Sequence, residues 1–413
     1  MKKTLLTICL VWMCFSLSAQ KIIDLSGKWS FSIDRQDNGE KEKWFSHTLN
    51  DFINLPGSMP EKLKGDEVTA KTQWTGSLYD SSYYYNPYME KYRKEGNIKF
   101  PFFLTPDKHY VGAAWYQKEV NIPADWKGER ILLFLERPHI ETTVWVNGQK
   151  TGMQNSLCVP HQYDITHYVR PGKCTITIRV DNRIKEINVG PDSHSITDQT
   201  QGNWNGIVGR ICLQTTPKTY FDDIQIYPEP EQKLARVKVV IKGTGTAKVK
   251  LSAESFNTDK KHIVPAIQQE IKLNKGVTET EMVLPMGNDM LLWDEFHPAL
   301  YKLKAEVTNG KKTEIKEIQF GMRRFEIKGK WFYVNGRKTQ LRGTVENCDF
   351  PLTGYAPMDV ESWERVFRIC RSYGLNHMRF HSFCPPEAAF MAADRVGFYL
   401  QPEGPSWPNH GPK

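Results

Sequence analysis

The chain has 413 residues, 39% of them hydrophobic and 25% charged, which is long for one core and fits two to four soluble domains. Its formal net charge of +8 is dispersed along the sequence, which argues against a nucleic-acid partner. The cysteines follow no zinc-ligand spacing and no small disulfide scaffold, and no metal or other cofactor is expected.

The first twenty residues, MKKTLLTICLVWMCFSLSAQ, combine Lys2 and Lys3, an apolar run and the small pair Ser18-Ala19, the grammar of a secretory signal. The mature protein is therefore expected in the periplasm or outside the cell, where a disulfide is permitted although the spacing selects none. Cys14 would suit a lipid anchor, but Val11-Trp12-Met13 puts bulky residues where such a signal has small ones, so lipidation is not expected. No later stretch is apolar for long enough to span a membrane.

From about 21 to 227, short strands separated by turns predict a β-sandwich. ILLFLERP (131–138) is followed by IETTVWVNGQKTG, in which Asn147-Gly148 marks a tight hairpin. CTITIRVDN (174–182) alternates, with Ile176, Ile178 and Val180 on one face. The Tyr-rich stretch from Tyr79 to Phe103 has no period and reads as an inserted loop. QGNWNGIVGRI (201–211) is glycine-rich, but no strand feeds a helix there, so a tight loop presenting Trp204 is expected rather than a phosphate cradle. His161, His167 and His194 lack metal-ligand spacing. YPEPEQ (227–232) reads as a linker, and the strands from 228 to 325, among them ARVKVVIKG and AKVKLSAESF, suit a small immunoglobulin-like sandwich without a catalytic constellation.

Beyond Trp331 the pattern changes. KTQLRGTVE is a predicted strand, DVESWERVFRICRSYG a helix, LNHMRFHSF a strand, PPEAAFMAADRVG a helix closed by Gly397, and FYLQPE a third strand. Such alternation opens a parallel α/β unit, either a TIM barrel or an open doubly wound sheet. A period of two puts His377, Arg379 and His381 on one strand face and Met378 and Phe380 on the other. Polar residues facing inward near a strand's C-terminal end point to a site there; the plainer alternative is an ion pair of Arg379 with Glu346 or Glu403. Those two glutamates end the first and third strands. Glycoside hydrolysis uses two carboxylates, about 5–5.5 Å apart in retaining enzymes and roughly 6.5–9.5 Å in inverting ones. Strands one and three of a sheet lie roughly 10 Å apart, so Glu346 and Glu403 are read as sugar-binding or pKa-tuning residues, or as acids that simply pair with Arg379 or Arg342.

Several segments in succession resemble glycoside hydrolase family 2. LSGKWSFSID, AAWYQKEVNIPADWKGERILLFLE, TTVWVNGQKTG and GNWNGIVGRICL are similar to its N-terminal sugar-binding jelly roll; LLWDEFHPALYKLKAEV and QFGMRRFEI resemble its immunoglobulin-like domain; FYVNGRKTQLRGTVEN and GLNHMRFHSFCPPEAAFMAADRVGFYLQPE resemble the opening of its TIM barrel. The resemblance implies a mostly β, multidomain chain: a signal peptide (1–20), a jelly-roll β-sandwich (21–227), an immunoglobulin-like β-sandwich (228–325) and the first three βα units of the barrel (326–413). It implies a β-glycosidase that hydrolyses O-glycosyl bonds of an oligo- or polysaccharide, with Glu346, Asn347, Arg379, His381, Glu403, Trp407 and Trp204 as candidates for binding it. Two departures bear on the sugar. Many β-galactosidases of the family have Arg, any residue, Ser, His, Tyr, Pro on the second barrel strand, where this chain has Arg379-Phe380-His381-Ser382-Phe383-Cys384. They also carry an acidic residue where Gly209-Arg210 stands here. The family's acid/base and nucleophilic glutamates end the fourth and seventh strands, so both are expected beyond Lys413, and the 413 residues alone are expected to be inactive. The alternative is a carbohydrate-binding or scaffold protein without catalysis.

Overall fold

The computed structural model describes residues 21–69, 71–75, 85–99, 106–185, 193, 195–196, 203–350 and 352–405. The expected signal at 1–20, His194, Trp407 and parts of the Tyr-rich stretch lie outside the described residues.

The first unit is two antiparallel sheets. One runs in the order Ile22–Asp24, Gly206–Thr216, Arg130–His139, His161–Asp164, with Gly57–Ser58 also on Gly206–Thr216. The other runs Gln149–Asn155, Glu141–Val146, Gly172–Asp181, Ala113–Ile122, Gly27–Asp34, Asp51–Leu55. Alternation sends Ile176, Ile178 and Val180 into the space between the sheets, where they are fully buried with Phe31 and Leu133. Each such side chain contributes about 1.5–3 kcal/mol by leaving water. At the expected hairpin, Asn147 (φ 52) and Gly148 (φ 77) both take the left-handed conformation that a two-residue turn needs, and Val146 pairs with Gln149 across it. The outer face of Gly172–Asp181 is covered as well. Trp115 and Trp145, with ring centroids 5.0 Å apart, pack there against Trp44 and Phe45, so Thr177, Arg179 and Asp181 are buried too. Within the Tyr-rich stretch, a short 3-10 turn, Pro87–Tyr92, is capped by the Asn86 side chain, which accepts from the Tyr88 amide at 2.9 Å.

The second unit differs from its expected string of short strands. ARVKVVIKG and AKVKLSAESF form one strand of 23 residues, Leu234–Phe256, paired along its length with the equally long Ile263–Pro285. The register shifts at Gly243/Gly245 and at Leu251/Ala253, and such bulges bend a strand and strengthen its twist. The bend lets one strand serve two partners, Tyr220–Glu229 along its first half and Leu300–Asn309 along its second, and Val237, Val239, Val249, Leu251 and Leu303 meet in one core. Lys312–Phe320 completes the sheet beside Leu300–Asn309.

A small meander, Phe325–Lys328, Trp331–Val334 and Arg337–Thr339, leads into the third unit. KTQLRGTVE is thus divided: Arg337–Thr339 stays in the meander and Gly343–Glu346 opens a new sheet. The Asn376 side chain sits at the break, accepting from the Arg342 amide at 2.7 Å and donating to the Gln340 carbonyl at 3.1 Å. The new sheet is parallel, Gly343–Glu346, His377–Phe380, Tyr399–Gln401, with helices Val360–Ser372 and Glu387–Val396 between successive strands. Met378 and Phe380 turn toward the helices and are buried with Trp363, Phe367 and Phe398. Asp359 caps the first helix, its carboxylate accepting from the Ser362 amide at 2.8 Å. Asp359→Ala is expected to lower stability by about 1 kcal/mol, read as a shift in the urea midpoint; an unchanged midpoint would show that the helix is held by its apolar face alone.

Several polar contacts connect the third unit to its neighbours. Ser195 Oγ donates to the Ser382 carbonyl at 3.0 Å and Tyr355 OH to Glu61 at 2.9 Å, reaching the first unit. Trp293 Nε1 donates to the Asp394 carbonyl at 2.7 Å, reaching the second.

Candidate active site

The three parallel strands all point their C-terminal ends the same way, and in open α/β sheets ligands bind outside those ends. Glu346, Asn347, His381 and Glu403 sit at or just past the strand ends there. The register aligns Val345 with Arg379 and Arg379 with Gln401, so Arg379 stands mid-sheet between the two glutamates. The expected face holds: His377 and Arg379 are half-buried while Met378 and Phe380 are buried.

The site divides into two carboxylate clusters joined by Asn347 and His381. Arg379 Nε donates to Glu403 Oε1 at 2.5 Å, and the Ser382 amide donates to Glu403 Oε2 at 2.9 Å. On the other side, the Cys348 amide lies 3.0 Å from each oxygen of Glu346. Asn347 Oδ1 and His381 Nδ1 are 3.2 Å apart, and the His381 amide donates to the Glu346 carbonyl at 2.9 Å. Cys348 (φ 65) and Ser382 (φ 58) are both in the left-handed region, an uncommon conformation for residues other than glycine. The Cys348 amide thus points back at Glu346, and the Ser382 amide at Glu403 beyond the next strand.

The two glutamates differ in proton affinity. Burial pushes Glu346 up to about 7, against the pull of the Cys348, Asp349 and Asn347 amides. Burial also raises Glu403, but the Arg379 guanidinium and the Ser382 amide outweigh it and hold the carboxyl below its ordinary value. An acid that keeps its proton beside one that has lost it is the signature of an acid/base pair. Sheet geometry separates them, because the strand His377–Phe380 runs between theirs and puts the two strands roughly 10 Å apart. The two terminal nitrogens of Arg379 have no partner among the described residues, which leaves a planar pair of donors for a hydroxyl or carboxylate.

Trp204 lies elsewhere. The structure turns its loop inward instead of presenting the ring: Trp204 is 3% exposed, stacked on His139 with centroids 4.6 Å apart and tilted against Tyr355 at 5.6 Å. Its neighbours explain the direction. Asn205 accepts from Tyr116 OH at 2.7 Å and donates to the carbonyls of Gly112 and Val180 at 3.0 Å each, and a Cβ on Gly206 would come within 2.4 Å of the Gly57 carbonyl oxygen. Arg210 is a strut. Its amide and Nε donate to Glu136 at 2.7 and 2.8 Å, and Nη2 donates to Glu387 on the second helix at 3.0 Å. Beside it opens a cavity of about 1120 Å³ where all three units meet, lined among others by Glu136, Arg210, Phe350, Tyr355, Met358 and Glu387. No local sequence signal marks this groove, since its walls come from segments far apart in the chain. Among the described residues, no three His, Cys, Asp or Glu side chains are placed to hold a metal ion, and no helix is long and apolar enough to cross a membrane.

Comparison with known proteins gives matches that cover up to 94% of the chain. Residues 22–217 match the sugar binding domain of glycosyl hydrolases family 2, and residues 219–323 match the domain described as glycosyl hydrolases family 2. The β-galactosidase of Thermoanaerobacter pseudethanolicus is 24% identical over 334 residues, covering 76% of this chain and 42% of that protein. Human β-glucuronidase is 23% identical over 420 residues, covering 92% of this chain and 57% of that protein. Among solved structures, a β-glucuronidase from Ruminococcus gnavus in complex with D-glucaro-d-lactam is similar with a TM-score of 0.67 at 20% identity, over 94% of this chain and 60% of that one. A glycosyl hydrolase family 2 member from Bacteroides cellulosilyticus gives 0.65 at 20% identity, over 93% and 47%. The chain thus spans about half the length of the curated relatives it matches.

Proposed function

We propose, starting from the fact that this chain belongs to glycosyl hydrolases family 2, that it carries the sugar-binding and substrate-orienting portion of an exported β-glycosidase acting on oligo- or polysaccharides. In this reading the parallel strands open a TIM barrel, and Glu346, Asn347, Arg379, His381 and Glu403 form the part of its rim that grips the sugar; Trp407, outside the described residues, is a further candidate from the sequence. The observation that carries it is the convergence of these five residues at the C-terminal ends of three adjacent parallel strands.

Each has a role its contacts allow. Glu403, ionised and fastened by the Ser382 amide, fixes the plane of the Arg379 guanidinium, whose terminal nitrogens then face a sugar hydroxyl or carboxylate. Glu346 keeps its proton in mildly acidic conditions and can donate it in a hydrogen bond. Asn347 holds the His381 ring. Bond cleavage is assigned to a different pair of glutamates beyond Lys413, because Glu346 and Glu403 stand on strands separated by a third.

The test is turnover by the purified 413-residue chain. No release of aryl aglycone above a blank is expected from β-galactosides or β-glucuronides. Turnover that disappears in Glu346→Gln or Glu403→Gln would overturn the assignment and make these two the acid and the nucleophile. Calorimetric titration with plant and host glycans supplies the second arm: binding lost in Arg379→Ala supports the gripping role, and absence of binding to any of them counts against it.

A further inference from the structure

The cysteines of the described residues are all reduced, and they do not lie at random. Cys174 and Cys212 belong to opposite sheets of the first unit, and Cys370 lies on the helix Val360–Ser372. Cys158, Cys348 and Cys384 converge. Cys158 follows the strand Gln149–Asn155 of the first unit, while Cys348 and Cys384 lie in the turns after the first and second parallel strands. All three line one cavity of about 20 Å³ together with Arg137, Ser195 and Tyr355. A space of that size holds one water at most, so the walls contributed by the two units stand nearly in contact.

Arg137 fixes the closest approach. Its Nη2 donates to the Cys158 carbonyl at 3.4 Å and to the Cys384 carbonyl at 3.2 Å, and its Nη1 donates to the Cys384 carbonyl at 3.2 Å. Two oxygens bound to one nitrogen can stand no farther apart than the sum of those two distances. The two cysteines are therefore neighbours across the junction between the units. Both residues are half-buried, whereas Cys348 is buried at 1% exposure. The thiols also sense each other: burial raises Cys384, the Cys158 sulfur adds to that, and the Arg137 charge opposes it.

We propose that Cys158 and Cys384 are a modification site, forming a reversible disulfide that ties the first sandwich to the parallel α/β unit when the protein meets a small-molecule disulfide. The Cys158 thiolate attacks one sulfur of the oxidant, forming a mixed disulfide and expelling one thiolate. Cys384 then gives up its proton, attacks the Cys158 sulfur and expels the second thiolate. The protein loses two hydrogens and the oxidant becomes two thiols. A positively charged group beside a thiol favours the attacking form, and the Arg137 charge acts in that sense on Cys384. The bond would add a covalent link to a junction otherwise held by hydrogen bonds such as Ser195 to Ser382 and Tyr355 to Glu61.

The experiment needs no variant for its main reading. The full chain is incubated with oxidised glutathione, alkylated under denaturing conditions and digested without reductant. The expected product is one linked pair of peptides, containing Cys158 and Cys384 and lighter by two hydrogens than the reduced pair, with both thiols lost to alkylation and recovered after reductant. Cys158→Ser and Cys384→Ser should each abolish it, and Cys370→Ser should leave it intact. Separate glutathione adducts on Cys158 and Cys384 without a link would overturn the proposal, as would a link that persists in Cys384→Ser by joining Cys158 to Cys348.

Discussion

Replacing Asp181 by Ala is expected to lower stability by about 3–5 kcal/mol. Asp181 ends the strand Gly172–Asp181 and is fully buried. Its carboxylate accepts from Arg179 Nη2 at 3.0 Å and from Arg183 Nη2 at 2.5 Å, and its Oδ1 accepts from the Arg183 backbone amide at 3.0 Å. Lys185 Nζ stands 2.8 Å away. Asp37 and Glu141 complete the network, at 2.6 Å from Arg179 and 2.9 Å from Lys185 respectively. Removal of the central acid leaves three cations facing two acids, with Arg179 at 8% exposure and unable to recover water. Although burial raises Asp181, the hydrogen bonds from Arg183 and Lys185 and the Arg179 charge outweigh it and hold the carboxyl far below its ordinary value of 3.8. A depressed carboxylate contributes stability above its unfolded pKa and loses it as pH falls toward the folded one. The gap between the native chain and Asp181→Asn should therefore be widest near neutrality and close progressively below about pH 4. Urea unfolding followed by the fluorescence of the adjacent Trp115 and Trp145 reads it; a gap of constant size from neutral to acid pH would refute the charge argument.

Glu346 should behave in the opposite sense. Its folded value near 7 lies above the ordinary 4.5, so between those limits the folded chain binds a proton that the unfolded chain has released. Stability then falls as pH rises through that window, by about 3 kcal/mol at most. Glu346→Gln cannot ionise, and its stability curve should be flatter from about pH 4.5 to pH 8. The variant is expected to exceed the native chain at the alkaline end and to match it at the acid end. Parallel curves would mean that the three surrounding amides already offset the burial. A sugar that donates hydrogen bonds to Glu346 would draw the same pKa down, so its binding should release protons, visible as a dependence of the measured heat on the buffer.

Much of this arrangement was legible in the residues because it is set locally. Asn147-Gly148 fixes its hairpin by its own backbone preferences, and the alternation from His377 to His381 assigns faces whatever the partners are. ARVKVVIKG and AKVKLSAESF alternate on either side of Gly243 and Gly245, and only pairing with both Tyr220–Glu229 and Leu300–Asn309 shows that they form the one bent strand Leu234–Phe256. Trp204 was misplaced for a related reason. Its direction depends on Asn205 reaching Tyr116, Gly112 and Val180, none of which is near it in sequence. Glu346 and Glu403 could be located from strand ends, but their opposite proton affinities required the burial of one and the Arg379 partner of the other.

The left-handed turns at Cys348 and Ser382 carry a consequence for how such a rim can diversify. Each carboxylate is gripped by a main-chain amide, which every residue except proline possesses, so the grip is indifferent to the side chain mounted on the turn. The conformation costs about 1–2 kcal/mol for most residues with a Cβ, less for Asn or Asp and more for a β-branched residue. Cys348 and Ser382 are themselves buried, at 1% and 2% exposure, so packing around positions 348 and 382, and not the grip on Glu346 and Glu403, limits which side chains they can carry.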